Sequence, residues 1–352
     1  MYINPKRMKV LKNLWLLIPG ILLMSCAVEK EEDSSITEER MLAARMQVRY
    51  LDTLHKTESG MYYMIKAKGT GTQVEDENFV YVRYSTLDFN ENYLGSATEV
   101  QDIEVAKQLG LYTPSTYYGP ILWVVANYAQ PMGRHEILKD MRVGDRRRVW
   151  IPSRLSAHEG SVPQVTSPQI LDIEVLTVIK DEDAMKQYEI DRLEAYRDQR
   201  YPGLDSLSFG LYKKTLVSNP EESDTLKTGD KIQVWYIGRT IDDFVFDTNV
   251  ADTAKKYSIY DSEKALTKYI ALEYECLENG TLSTSGDDGS STRAGFSKGV
   301  RSMRYGEEAI IFFHSVLGYA DAGVDQIQPF MPLVFYVRLE PKAVTEEEET
   351  ET

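Results

Sequence analysis

Cysteine is nearly absent. Cys26 and Cys276 are the two in 352 residues, and no Cys-x-x-Cys pair occurs, so neither a disulfide framework nor a thiol redox centre is expected. Histidine is equally sparse: His55, His135, His158 and His314 are dispersed, and no two have the spacing of a metal-binding helix or finger. Lys68-Gly69-Thr70-Gly71 lacks the third glycine and the helix of a dinucleotide loop and reads as a turn. No cofactor is therefore expected. Positive charge is in deficit, 40 Lys and Arg against 55 Asp and Glu, leaving −15. Such a polyanion repels phosphate backbones, so no nucleic-acid partner is expected. The basic cluster Arg146 to Arg148 reads as the solvated edge of a strand.

What is present suits strands. Twenty-three tyrosines beside ten phenylalanines favour sheet and half-wet pockets over a helical bundle, and the length accommodates two domains. The first residues read as an export signal: Lys6, Arg7, Lys9 and Lys12 precede the apolar run Leu14 to Met24, which is too short for a permanent span. The run closes in Leu23-Met24-Ser25-Cys26, which resembles the lipobox of bacterial lipoproteins. That resemblance implies cleavage before Cys26, a lipid on its thiol, and membrane attachment through that lipid. Ala27 rather than an acid follows, and by resemblance to sorting rules this points to the outer membrane, on its periplasmic or surface face. The acidic stretch Glu29 to Ser35 reads as part of a flexible tether over 26–44.

The chain then repeats itself. Ser59-Gly60-Met61-Tyr62-Tyr63 returns as Phe209-Gly210-Leu211-Tyr212, and Val80 to Tyr84 returns as Ile232 to Tyr236. Met141-Arg142-Val143-Gly144 returns as Met303-Arg304-Tyr305-Gly306, and Ile170 to Val175 returns as Leu333 to Leu339. Four blocks in one order predict two copies of one α+β domain, at 45–180 and 204–342, each a curved antiparallel sheet packed on a short helix. Between them 181–203 reads as a helical linker: Asp181 or Asp183 can cap it, Met185, Tyr188, Leu193 and Tyr196 share a face, and Pro202-Gly203 ends it. An acidic tail, 343–352, follows.

These blocks resemble the FKBP family of peptidyl-prolyl isomerases over nearly everything after residue 45. The second copy carries the marks. Gly229 to Gly238 looks like the family's first long strand, and Phe246-Asp247-Thr248-Asn249 like its Phe-Asp motif. Ala294-Gly295-Phe296 resembles the step at the pocket floor. Leu317-Gly318-Tyr319-Ala320 resembles the Ala-Tyr-Gly turn, with Ala320 in place of the usual glycine. Ile327-Gln328-Pro329 and Leu333-Val334-Phe335 complete the set. The resemblance implies that Phe246, Phe296 and Phe335 form the aromatic walls and floor, with Tyr236 at the side and Ile327 on a flap. It further implies that the Tyr319 hydroxyl meets a substrate carbonyl and that Asp247 holds the polar edge by bonding tyrosine hydroxyls.

The first copy departs from this pattern. Leu94-Gly95 stand where Phe246-Asp247 stand, Arg134 replaces Phe296, Ala157 falls near Tyr319, and Leu171 replaces Phe335. An arginine on an apolar floor implies a filled or remodelled site. The second copy also has a long insertion, Val250 to Arg293, with helical character over 262–277 and a flexible Gly/Ser/Asp stretch over 283–291. The expected activity is prolyl isomerisation of exported proteins by the second domain, with proline-containing peptide segments as partners and FKBP-directed macrolides as implied ligands. The alternative is a non-catalytic peptide-binding chaperone or envelope-complex subunit on the same frames, which the losses in the first copy and the departure at Arg293, where the family has an apolar residue, keep open.

Overall fold

The computed structural model of the chain describes residues 34–50, 53–93, 100–126, 128–221, 225–284 and 292–342. Cys26 and its leader, the Leu94-Gly95 step and the 343–352 tail lie outside them. Among the described residues no helix is long and apolar enough to cross a membrane.

Two antiparallel sheets follow one another. The first uses β1 (His55–Lys56), β2 (Tyr62–Ala67), β3 (Phe79–Leu87), β4 (Ile121–Val124), β5 (Arg146–Ile151) and β6 (Gln169–Ile179), in the order β1-β2-β5-β6-β3-β4. The second uses β7 (Ser206–Ser208), β8 (Leu211–Val217), β9 (Lys231–Thr240), β11 (Leu272–Cys276), β12 (Leu282–Thr284), β13 (Glu308–Phe313) and β14 (Leu333–Leu339). Their order is β12-β11-β9-β14-β13-β8-β7, with β10 (Val245–Thr248) also pairing with β9. The order β1-β2-β5-β6-β3-β4 thus recurs as β7-β8-β13-β14-β9-β11. In β9, Ile232 and Val234 point inward while Lys231 and Gln233 face water, the two-residue period of a half-buried strand.

One helix crosses each sheet, α3 (Met132–Lys139) in the first and α7 (Ala294–Arg301) in the second, with the short helices α2 (Ile103–Gln108), α5 (Ala251–Lys256) and α6 (Ala265–Lys268) elsewhere along the chain. Both depend on a glycine for close approach. A Cβ at Gly133 would lie 2.7 Å from the Ile151 side chain, and one at Gly295 would lie 2.4 Å from the Phe313 ring.

A second helix precedes each sheet. Helix α1 (Ser34–Tyr50) buries Leu42 and Met46 beside Trp150, and the Glu38 carboxylate accepts from the Ser153 N–H and Oγ. Helix α4 (Glu182–Arg200), whose N-cap Asp181 accepts from the Ala184 N–H at 2.9 Å, uses Glu189 in the same way on Ser315. Tyr50 lies 4.9 Å from Trp150 and Tyr201 lies 5.8 Å from Phe312, ring to ring. The repeat therefore includes the helix, as the spacing Glu38…Leu42…Arg49-Tyr50 and Glu189…Leu193…Arg200-Tyr201 also shows.

Three expectations are corrected. The tether anticipated up to residue 44 is helix from Ser34 on, because Leu42 and Met46 find a buried face. Strand β5 is not an edge: it lies between β2 and β6, Arg147 is buried against Asp140 and Asp145, and Arg148 forks onto Asp172 at 2.6 and 2.7 Å. The anticipated 262–277 helix survives only as a short turn of helix (Ala265–Lys268), with Leu266 90% exposed. From Leu272 on, Leu272, Tyr274 and Cys276 alternate with Glu273 and Glu275, and this two-residue period builds β11 against β9 instead.

Candidate active site

Strand register brings the candidate side chains together. In β9, Tyr236 pairs with Val337 of β14, and Gly238 pairs with Phe335 and with Asp247 of β10. The β9–β10 register shifts between Val245 and Asp247, placing Phe246 at an irregularity that re-aims its ring. Asn249 locks this corner. Its Oδ1 accepts from the Tyr236 N–H at 2.7 Å, and its Nδ2 donates to the carbonyls of Val234 and Ile270, both at 2.8 Å.

The result is an aromatic cage centred on Phe335. Phe296 of α7 lies 5.0 Å from it at 64°, Phe246 5.8 Å at 84°, and Tyr236 6.3 Å at 52°. Phe313 stacks beneath at 5.7 Å and 11°. Edge-to-face packing of this kind fixes ring positions. Gly238 makes room for it, since a Cβ there would fall 2.8 Å from the Phe246 ring and 2.9 Å from the Phe335 ring. The cage encloses a cavity of about 340 Å³ that Tyr236, Phe246, Asp247, Phe296, Tyr319 and Phe335 line together. Ile327 is not in that lining. It sits on the loop 323–330, bordering a second cavity of about 490 Å³.

Polar groups share the lining with the rings. The Tyr236 hydroxyl donates to Asp247 Oδ2 at 2.6 Å, and Lys268 Nζ meets Oδ1 at 2.9 Å. Burial first, and then the adjacent Asp247 carboxylate, raises the Tyr236 phenol well above its ordinary value, so it remains a donor at neutral pH. The same two causes push Tyr274 up to about 12. Burial opposes the charge on Lys268, but its bond to Asp247 outweighs this and raises the ammonium pKa. Arg293 lays its guanidinium 4.4 Å from the centre of the Tyr319 ring, a cation–π contact at the mouth.

Sequence reasoning missed Lys268, Tyr274, Thr292 and Leu333 as wall residues. The alternation around Tyr274 could have revealed that one. Lys268 carried no signal, because its role depends on where the insertion returns to the sheet.

At the corresponding place in the first sheet an arginine lies over an aromatic pair. Tyr84 matches Tyr236, and Trp123, opposite Val80, matches Tyr274, opposite Ile232. Arg134 stands at the Phe296 position and covers both rings, 5.5 Å from Tyr84 and 5.0 Å from Trp123, while those rings lie 4.8 Å apart. The cationic side chain thus covers the ring pair whose counterparts, Tyr236 and Tyr274, Phe296 meets at 6.0 and 6.3 Å in the second sheet.

Residues 222–340 match the profile of the FKBP-type peptidyl-prolyl cis-trans isomerases. That stretch of the chain is an FKBP-type domain. No curated protein matches the chain. Among solved structures the chain is similar to the three FKBP domains of wheat FKBP73, at 14% identity and TM-score 0.27, covering 81% of this chain and 95% of that one. It is similar also to a peptidyl-prolyl cis-trans isomerase of Pseudomonas syringae pv. tomato, at 18% identity and TM-score 0.30, covering 43% of this chain and 98% of that one. A third is FkpA of Escherichia coli, at 17% identity and TM-score 0.31, covering 50% and 73% respectively. At such overlap these likenesses add nothing to the FKBP assignment, which stands on the 222–340 match.

Proposed function

We propose that this chain is a peptidyl-prolyl cis–trans isomerase whose activity resides in its C-terminal FKBP half, and that the first half is an FKBP-like frame without catalysis. The observation that carries this is the contrast between the two cages, one open around Phe335 and the other covered by Arg134. Rotation about a prolyl amide must break its resonance, against a barrier of ~18–20 kcal/mol. In the twisted state the carbonyl oxygen loses charge, so a water-poor aromatic cage favours that state over the planar one. Phe246, Phe296 and Phe335 would hold the pyrrolidine ring. Tyr319 would donate to a flanking carbonyl and fix its direction, and Tyr236 would keep the Asp247 carboxylate turned away from the ring. Each ~1.36 kcal/mol removed speeds rotation tenfold, so several small contributions suffice.

The test is a prolyl-peptide isomerisation assay on the full chain, with and without an FKBP-directed macrolide, beside the Phe246→Ala variant. Acceleration lost in the variant supports the reading, and a wild-type rate equal to the uncatalysed one overturns it. Arg293 on the Tyr319 ring favours the second reading, a peptide-holding protein, because it keeps Tyr319 engaged at the mouth. Peptide binding without acceleration would select that reading.

The working environment is part of the proposal. The leader and Cys26 support attachment by lipid to the outer membrane, with exported proteins as substrates. Cys26→Ala is expected to abolish radiolabelled palmitate incorporation and release the chain from membranes; unchanged retention without label would sink the anchor.

A further inference from the structure

The 490 Å³ cavity adjoins the aromatic cage and shares Phe246, Asp247 and Tyr319 with it. Its floor is the insertion, through Lys268, and its near wall is the loop that carries Ile327. Its far wall comes from the first half, through Ser115.

That wall is fastened rather than merely adjacent. The Gln326 side chain reads the backbone of the first half at two points. Its Oε1 accepts from the Tyr117 N–H at 2.6 Å, and its Nε2 donates to the Ser115 carbonyl at 2.5 Å. The buried Tyr117 donates its hydroxyl to Asp242 Oδ2 at 2.6 Å and packs its ring 5.4 Å from Phe244. At the other end of the same loop, Phe330 is buried against the first sheet, 5.6 Å from Phe79 and edge-on. The loop 323–330 is thus held to the first half at Gln326 and at Phe330, with Ile327 between them.

We infer that the first half supplies part of the substrate groove. An extended polypeptide with its proline in the Phe335 cage runs its flanking residues through the cavity between Lys268 and Ser115, and the Gln326 and Phe330 contacts fix the flap over it. The inference rests on the isomerase reading for its catalytic outcome, but the groove itself predicts binding. The volume lies within the range of formed ligand sites, and carbonyl, amide, carboxylate and ammonium groups around it suit a peptide backbone. A non-catalytic first half is then retained for selecting long substrates.

The experiment uses the full chain and two proline peptides, one of four residues and one with the same centre extended by four residues on each side. Affinity and isomerisation rate are measured for both, with wild type, Ser115→Trp and Gln326→Ala. Urea midpoints identify any variant that fails to fold. Wild type is expected to prefer the long peptide, and each variant is expected to cut the long-to-short ratio at least fivefold. A wild-type ratio near one, or a ratio unchanged in both folded variants, overturns the groove while leaving the isomerase reading intact. Preferential binding of the long peptide, lost in the variants but without acceleration, supports the groove and overturns only the isomerase reading. Absence of binding to either peptide overturns both.

Discussion

The Glu189 carboxylate accepts both hydrogen bonds that Ser315 can donate, from its N–H and from its Oγ at 2.7 Å, and it is fully buried in doing so. Glu38 holds Ser153 in the same manner in the first half. Each glutamate ties the helix ahead of a sheet to the turn that follows β5 in the first half and β13 in the second. In the second half that turn leads directly to Tyr319, so the helix between the sheets reaches the candidate site through two residues.

Burial raises the Glu189 pKa from an ordinary 4.5 to about 7, against the lowering effect of the two Ser315 bonds and of Arg192. His314 Nε2 lies 3.3 Å away, and burial lowers its own pKa, so it faces Glu189 as a neutral ring at pH 7. A folded pKa above the unfolded one means that the folded state holds the proton more tightly. The stabilisation is complete below about 4.5 and is lost as pH rises through about 7. Glu189→Gln removes the titration and keeps one acceptor and one donor for Ser315. Relative to this variant, the wild type should lose on the order of 3 kcal/mol between pH 4.5 and 7.5. Urea unfolding of both proteins at the two pH values checks this, and a difference that does not change with pH would contradict it.

The aromatic residues differ in what their loss reveals. Phe335 is in the core, and truncation to alanine there costs ~3–5 kcal/mol of stability, which obscures any catalytic effect. Phe246 is only half-buried and is the better probe. Phe246→Ala should lower kcat/KM for a prolyl peptide by more than tenfold with the fold intact. Tyr319→Phe removes a single neutral hydrogen bond, worth ~0.5–1.5 kcal/mol, and should slow turnover by about two- to tenfold. A larger loss for Tyr319→Phe than for Phe246→Ala would reverse the roles assigned here.

The α+β character and the strand repeat were legible because alternation and turn glycines are local properties. Ile232 and Val234 declare a strand without reference to any other residue, and Phe246-Asp247 and Gly295-Phe296 suggest a pocket only through the resemblance to the FKBP family. The rest depended on distance. Nothing local marks Glu189, yet a serine 126 positions later makes it a buried acceptor. Arg147 reads as solvated, yet Asp140 and Asp145 bury it. The insertion misled because Leu266, Tyr269 and Ile270 have helical spacing, whereas Leu272 and Tyr274 find an open β9 edge that rewards the shorter period. Nothing in the sequence marked Gln326, since side-chain pairing with a loop some 210 residues earlier leaves no local trace.

Ala320 adopts φ 49, in the left-handed region. Its N–H donates to the Ser315 carbonyl and its own carbonyl accepts from Phe330, both at 2.8 Å, so the turn cannot relax without losing the flap. That conformation costs a non-glycine residue ~1–2 kcal/mol, and glycine gives back ~0.5–1 kcal/mol through unfolded-chain entropy. Ala320→Gly should therefore raise stability by about 0.5–1 kcal/mol. Denaturant unfolding is the measurement; destabilisation by the glycine would show that the turn is held by the methyl group instead.

Gly238 offers the sharpest separation of cage geometry from cage chemistry. Its backbone is ordinary strand, so alanine brings no conformational strain, but the new methyl would stand 2.8 Å from the Phe246 ring and 2.9 Å from the Phe335 ring. Phe335 is held by Phe296 and Phe313 on its other sides. Phe246, on a short strand beside an irregular register, is the ring free to move. Gly238→Ala should thus displace Phe246, lower kcat/KM by about tenfold, and cost ~1–3 kcal/mol of stability as overpacking does. The double variant Gly238→Ala/Phe246→Ala decides the cause. If the methyl acts by pushing Phe246 aside, its effect vanishes once that ring is gone, and the double variant is no slower than Phe246→Ala alone. Independent, multiplying losses would mean that Gly238 serves the substrate directly, as open space along β9 rather than as room for a ring.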